Sequence, residues 1–105
     1  MSLDFYLYSR VEHANHNITH NLAEMADALG IYKCLWRPTE NGFYEAGEII
    51  PLLEKAIKKA ERYPDKYRKY DSENGWGTYK NFIPWLKEVL QSCKDYPKAR
   101  IEADI

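Results

Sequence analysis

The chain has 105 residues, a formal net charge of −1 and hydrophobic side chains at 45% of its positions. This composition is typical of a globular protein, and the length suits a single domain spanning residues 1–105. The near-zero charge gives no field that favours nucleic acid, and no apolar run reaches the roughly 18 residues of a membrane span. With two cysteines and no signal-peptide pattern, the sequence predicts a cytoplasmic protein without a disulfide framework.

The first segment of the chain alternates apolar and polar residues. Leu3, Phe5 and Leu7 occupy every second position, which is the period of a half-buried β-strand. A turn at residues 9–10 is expected to lead into a second, weaker strand at residues 11–15.

Residues 17–29 have the spacing of an amphipathic helix. Its apolar stripe consists of Ile18, Leu22, Met25 and Leu29. Asn17 is a favourable N-cap, and Gly30 is a favourable C-terminal stop. A further short helix is expected at residues 31–36, where Arg37-Pro38 ends it.

Two later segments, residues 40–66 and 73–99, repeat one unit, with eight identities in 27 aligned positions. Each copy has an Asn-Gly turn, an Ile-Pro pair near the expected helix start and a Tyr-Pro pair at its end. The repeat predicts two equivalent amphipathic helices whose apolar stripes contain Leu53 and Leu86.

Residues 99–105 alternate again and predict a strand at the other end of the chain. Lone strands are marginally stable in water, so the terminal strands are expected to pair and to pack against helices. The predicted fold class is α+β. Its helices, two of which form the pseudo-repeat, pack on a small antiparallel sheet of two or three strands that includes both termini.

Three blocks of sequence carry a resemblance to known proteins. They are Asn17-Ile18-Thr19-His20-Asn21-Leu22, Leu35-Trp36-Arg37-Pro38 and Asn74-Gly75-Trp76-Gly77. With shorter matches over nearly the whole chain, they resemble a family of small bacterial and phage proteins to which no activity is assigned. The resemblance therefore implies no catalytic residue and no cofactor.

The three histidines, His13, His16 and His20, are the first candidates for a metal site. Histidines four residues apart on a helix can share a metal ion. However, a helix that begins near Asn17 leaves His16 outside it, and neither cysteine nor carboxylate is spaced to complete a tetrahedral set. The sequence favours solvated surface histidines and no metal site.

The N-terminus of the helix predicted near Asn17 is the preferred candidate for a ligand site. Free backbone N–H groups and the helix dipole attract anions there, and His20 and Asn21 add polar side chains. Arg37 is positioned in sequence to return to the same anion.

Trp36, Asn74 and Trp76 complete the candidate site. Tryptophan dominates many binding hot spots, but a tryptophan in a turn also plugs the edge of a core. Plugging is favoured for Trp36, whereas both interpretations remain open for Trp76. A stretch of lysines and arginines at residues 55–69 is interleaved with acidic residues and is expected to be a solvated face.

These patterns favour a non-enzymatic binding or protein-interaction module with a protein partner, as an accessory protein of a phage or mobile element. The alternative is a small-molecule or nucleotide-binding protein, or a small enzyme, that holds a small anionic ligand near Asn17. Convergence of His20, Arg37 and Trp76 on one cavity would favour the ligand, and their dispersal would favour a protein partner.

Overall fold

The computed structural model describes residues 2–105, and this part of the chain contains three strands and five α-helices. The strands are β1 (Ser2–Tyr8), β2 (Glu12–Thr19) and β3 (Arg100–Asp104). The helices are α1 (Ala23–Ala28), α2 (Tyr32–Trp36), α3 (Ile50–Arg62), α4 (Pro64–Arg68) and α5 (Tyr79–Asp95). Short 3₁₀ turns occupy His20–Leu22, Thr39–Asn41 and Ala46–Ile49.

The strands form one antiparallel sheet in the order β2-β1-β3. Leu3, Phe5 and Leu7 are fully buried on its inner face, where α2 and α5 contact the sheet. The alternate residues of β1 point to the other side and remain partly exposed. The predicted α+β class, with a small antiparallel sheet that includes both termini, is confirmed.

The two repeat units have closely similar backbone geometry at equivalent positions. Gly42 and Gly75 have φ angles of 82° and 78°, a region that favours glycine. The residues that follow α3 and α5 as C-caps are Tyr63 and Tyr96. Their φ and ψ angles are −127° and 61° for Tyr63, and −130° and 61° for Tyr96. Leu53 and Leu86 are both fully buried, and their helices pack against each other.

The prediction for residues 11–29 is wrong in its boundaries. The second strand extends to Thr19, so Asn17 pairs with Asp4 and is not a helix N-cap. The α-helix begins only at Ala23 and has six residues. The error arises because Ile18 faces the core from a strand, at the spacing that a helical stripe would require.

The expectation that both prolines lie near a helix start holds for α3 only. Pro51 is the second residue of α3, whereas Pro84 is the sixth residue of α5. The second helix starts early because the Tyr79 N–H donates to Asp71 Oδ1 at 2.7 Å. In the first copy, a reciprocal capping box between Glu45 and Glu48 holds the equivalent segment in a 3₁₀ turn.

Candidate functional site

Four of the seven predicted site residues line a groove of about 430 Å³. Its lining is Ser2, Asn17, Thr19, Asn21, Asn74 and Trp76, which we call the Trp76 groove. Every one of these side chains is uncharged. The groove therefore offers amide and hydroxyl groups beside one indole ring, which suits a partner that makes hydrogen bonds and buries apolar surface.

The loop between α4 and α5 fixes Trp76 in an exposed position. Asn74 Oδ1 accepts hydrogen bonds from the Ser72 hydroxyl and, at 2.9 Å, from the Trp76 N–H. The Ser72 N–H donates to the Gly77 carbonyl at 3.0 Å and closes the loop. Trp76 is nevertheless 69% exposed, so its ring is available to a partner.

The same loop is anchored to the end of β2 by close contact. Asn21 Nδ2 donates to the Trp76 carbonyl at 2.9 Å. Gly77 has a φ of 101°, and a Cβ atom built there would lie 3.0 Å from Asn21 Cβ and 3.1 Å from Thr19 Cγ2. Glycine is required at this position both for the backbone angle and for the space.

Trp36 and His20 contact each other outside this groove. Trp36 is buried, and its Nε1–H donates to His20 Nδ1 at 3.1 Å. His20 Nδ1 is therefore the acceptor nitrogen, and Nε2 carries the proton of the neutral ring. The core-plugging interpretation fits Trp36, whose indole N–H is bonded to an imidazole.

Arg37 lies in a different groove, of about 590 Å³, that also contains Glu24, Asp27 and Glu40. Its guanidinium is 3.6 Å from the Glu40 carboxylate. A hydrogen bond with Tyr32 and the charge of Glu40 raise the pKa of Arg37. Arg37 is thus oriented towards acidic neighbours rather than towards an anion shared with His20.

His20 also lines a third groove, of about 490 Å³, together with Asn21, Lys69 and Asp71. His20, Arg37 and Trp76 are therefore divided among three grooves and do not converge on one cavity. The predicted anion site also loses its basis, because Asn17 belongs to a strand and α1 has only six residues. Moreover, the Asn21 N–H is not free, because it donates a hydrogen bond to Thr19 Oγ1 at 3.4 Å.

The other two histidines make separate structural contacts. His13 Nε2 is 3.1 Å from Ser9 Oγ, and its ring stacks on Tyr96 at 4.3 Å between centroids. His16 Nε2 is 2.8 Å from Ser92 Oγ, and burial lowers the pKa of His16. Residues 2–105 contain no group of three His, Cys, Asp or Glu side chains that could hold a metal ion.

The two cysteines are buried in the core as free thiols. Burial raises the pKa of Cys34 and of Cys93 to about 12. Because the thiolate is the nucleophilic form, neither residue is activated for covalent chemistry at neutral pH.

One candidate surface was missed by the sequence reasoning, namely the polar side of the sheet. We call it the outer face; it consists of Asp4, Tyr6, Tyr8, Glu12, Asn15, Asn17, Arg100, Glu102 and Asp104. The alternation of β1 and β3 already placed most of these residues on the polar side of a strand. These residues form one surface only because the strands pair in a particular register. Alternation within a single strand does not predict that register.

Within the outer face, Tyr6 is the central residue. Its neighbours across the sheet are Asn15 on β2 and Glu102 on β3. Local desolvation, followed by the negative charges of Asp4, Asp104, Glu12 and Glu102, raises the pKa of the Tyr6 hydroxyl.

Comparison of the chain with protein-family models, curated proteins and solved structures gives no match. None of the helices in the described part of the chain is long and apolar enough to cross a membrane.

Proposed function

We propose that this protein is a non-enzymatic protein-interaction module that binds its partner through the Trp76 groove and the adjoining outer face of the sheet. The observation that carries this proposal is the exposure of Trp76, which is 69% accessible although hydrogen bonds fix its loop. Tryptophan is enriched among the residues that dominate binding energy at protein interfaces, and a loop already held in place loses less entropy when it binds. The dispersal of His20, Arg37 and Trp76 also supports a protein partner over one small ligand.

The two surfaces are continuous through Asn17. Its Nδ2 donates to Asp4 Oδ1 at 2.7 Å and lies 3.3 Å from Ser2 Oγ. Asn17 thus belongs to the groove and to the outer face at once. A partner seated on Trp76 would therefore also reach the sheet.

The non-enzymatic part of the proposal draws support from the side chains capable of chemistry. His16 is engaged by Ser92, His20 by Trp36, and both cysteines lie in the core. The resemblance of the three sequence blocks favours an accessory protein of a phage or mobile element, acting in the cytoplasm.

The test is a selection of peptides from a random phage-display library on the immobilised protein. Peptides that bind the wild-type protein and lose binding to the Trp76→Ala variant are expected. Tyr63→Ala is the matched control, since Tyr63 is an exposed aromatic residue at the end of α3. Peptides that bind all three proteins equally would contradict the assignment of the interface to Trp76.

The alternative function, binding of a small anionic ligand or nucleotide, is tested separately by thermal shift. A ligand that binds only the native state raises its apparent melting temperature. The proposal predicts no shift with phosphate or nucleotides. A shift that disappears in a His20→Ala variant would favour the alternative.

A further inference from the structure

The outer face presents a surplus of negative charge that the rest of the molecule leaves uncompensated. It carries four carboxylates, from Asp4, Glu12, Glu102 and Asp104, and one cation, Arg100. The ion pairs within residues 2–105 involve other carboxylates, those of Glu40, Glu54, Glu61 and Asp65. A partner that brings cations to this face would therefore replace no existing salt bridge.

Acidic and basic residues lie on different surfaces of the protein, although its net charge is small. Residues 50–69, which comprise α3, α4 and the residue after each, carry seven Lys or Arg residues and three acidic ones. The molecule thus has a basic helical surface and an acidic sheet surface while its formal charge is only −1. Such segregated charge steers a complementary partner towards one surface.

A cleft of about 190 Å³ opens in the outer face, lined by Tyr6, Tyr8, Glu12 and Glu102. Pockets for small molecules occupy about 300–1,000 Å³, so this cleft suits a single side chain better than a metabolite. Two phenol rings attract a cation through their π faces, and two carboxylates accept its hydrogen bonds. This combination of groups matches a guanidinium or an ammonium group.

We propose that the outer face binds a basic segment of a partner protein, with one Arg or Lys side chain inserted between Tyr6, Tyr8, Glu12 and Glu102. This inference rests on the proposed function, because it names the chemistry of the partner at the same interface. The inserted cation gains two carboxylate acceptors, and the flanking segment reaches Asn17 and the Trp76 groove along the sheet.

The experiment is a titration of the isotope-labelled full chain at low ionic strength, followed by backbone NMR shifts. The probe is a peptide of four Gly-Ser-Arg triplets whose two termini carry no charge. Its control is the same peptide with neutral citrulline in place of arginine. The largest shifts are expected at Tyr6, Tyr8, Glu12 and Glu102, with no comparable shifts from the citrulline peptide.

Charge-matched variants separate the cleft from general attraction between opposite charges. Glu12→Gln combined with Glu102→Gln is expected to weaken binding of the arginine peptide about tenfold. Glu54→Gln combined with Glu61→Gln removes the same charge from α3 and is expected to leave binding within a factor of about two. Equal weakening by both pairs would overturn the assignment to the cleft.

Two further outcomes would also overturn the proposal. Peptide-induced shifts confined to other surfaces would place the binding site elsewhere. Concentration-dependent shifts of the outer face and of residues 55–69 without peptide would show that the occupant is a second copy of this chain. If Trp76→Ala abolishes selection of library peptides while the arginine peptide fails to bind, the interaction module stands and only its basic partner is refuted.

Discussion

We expect the replacement of Tyr67 by phenylalanine to stabilise the protein. Its side chain is fully buried, and its hydroxyl has no hydrogen-bond partner among residues 2–105. A buried hydroxyl without a partner costs about 1–3 kcal/mol of stability, whereas the ring packs equally well in either residue. Allowing for the small void left by the oxygen, Tyr67→Phe should raise the free energy of unfolding by about 1 kcal/mol.

Tyr79 provides the matched control, because the same atom is removed from a hydroxyl that is paired. The Tyr79 hydroxyl donates to the Ala60 carbonyl at 2.8 Å. Ala60 lies in the last turn of α3, where carbonyl groups lack helical donors. Tyr79→Phe should therefore lower the free energy of unfolding by about 1 kcal/mol, in the opposite direction to Tyr67→Phe.

The two variants are compared by urea denaturation followed by circular dichroism. Their expected free energies of unfolding differ by about 2 kcal/mol, which is well above the error of such measurements at equal m-values. In thermal melts each change of 1 kcal/mol should shift the midpoint by about 4–8 °C. A loss of stability in Tyr67→Phe equal to that in Tyr79→Phe would show that the Tyr67 hydroxyl does have a partner, such as a buried water.

Other parts of the structure give further predictions. Burial places the pKa of folded His16 below the ordinary 6.5, so the unfolded chain protonates this histidine first as the pH falls. The free energy of unfolding should therefore decline below about pH 6.5, and the decline should be smaller in His16→Gln. Denaturation measured across this pH range tests both expectations. Leu53→Ala and Leu86→Ala should each lower the free energy of unfolding by about 2–5 kcal/mol in urea, and a smaller loss would argue against their shared core role. Gly77→Ala should destabilise the protein by about 1–3 kcal/mol because of its positive φ and close contacts. Gly75→Ala also places alanine at a positive φ but meets no atom within 4 Å, so it should destabilise the protein less, and the difference measures the close contacts. Stoichiometric zinc or nickel should leave the melting temperature unchanged, and a shift of several degrees would contradict the assignment of the histidines.

The sequence predicted the fold where local pattern and tertiary environment agree. Alternation in β1 and β3 identified both terminal strands, because one face of the sheet is buried and the other is open. It located only the first half of β2, whose inner residues include Ala14 and the polar His16 beside Ile18. A strand with so little apolar contrast has no clear period, and its pairing with β1 determines the conformation.

The candidate site was predicted in composition but not in geometry. Asn17, Asn21, Asn74 and Trp76 do meet in one groove, although the expected reason was a helix N-terminus. Arg37 was assigned to the same place by sequence proximity, yet its position in a groove with Glu24, Asp27 and Glu40 depends on how α1 and α2 pack. Contacts across more than 50 residues, such as that between Asn21 and Trp76, leave no periodic signal in a single sequence.

The central position of β1 in the sheet has a consequence for the order of folding. On one side it pairs with β2 through a short turn, so that Tyr8 meets Glu12 four residues later. On the other side Asp4 meets Asp104, one hundred residues further along the chain. Closing the short loop costs little entropy. Pairing of β1 with β3 is possible only after residues 100–104 have been synthesised and have reached the edge of β1. During translation the hairpin is therefore expected to form early and to expose one unpaired β1 edge, which later closes against β3 and completes the sheet.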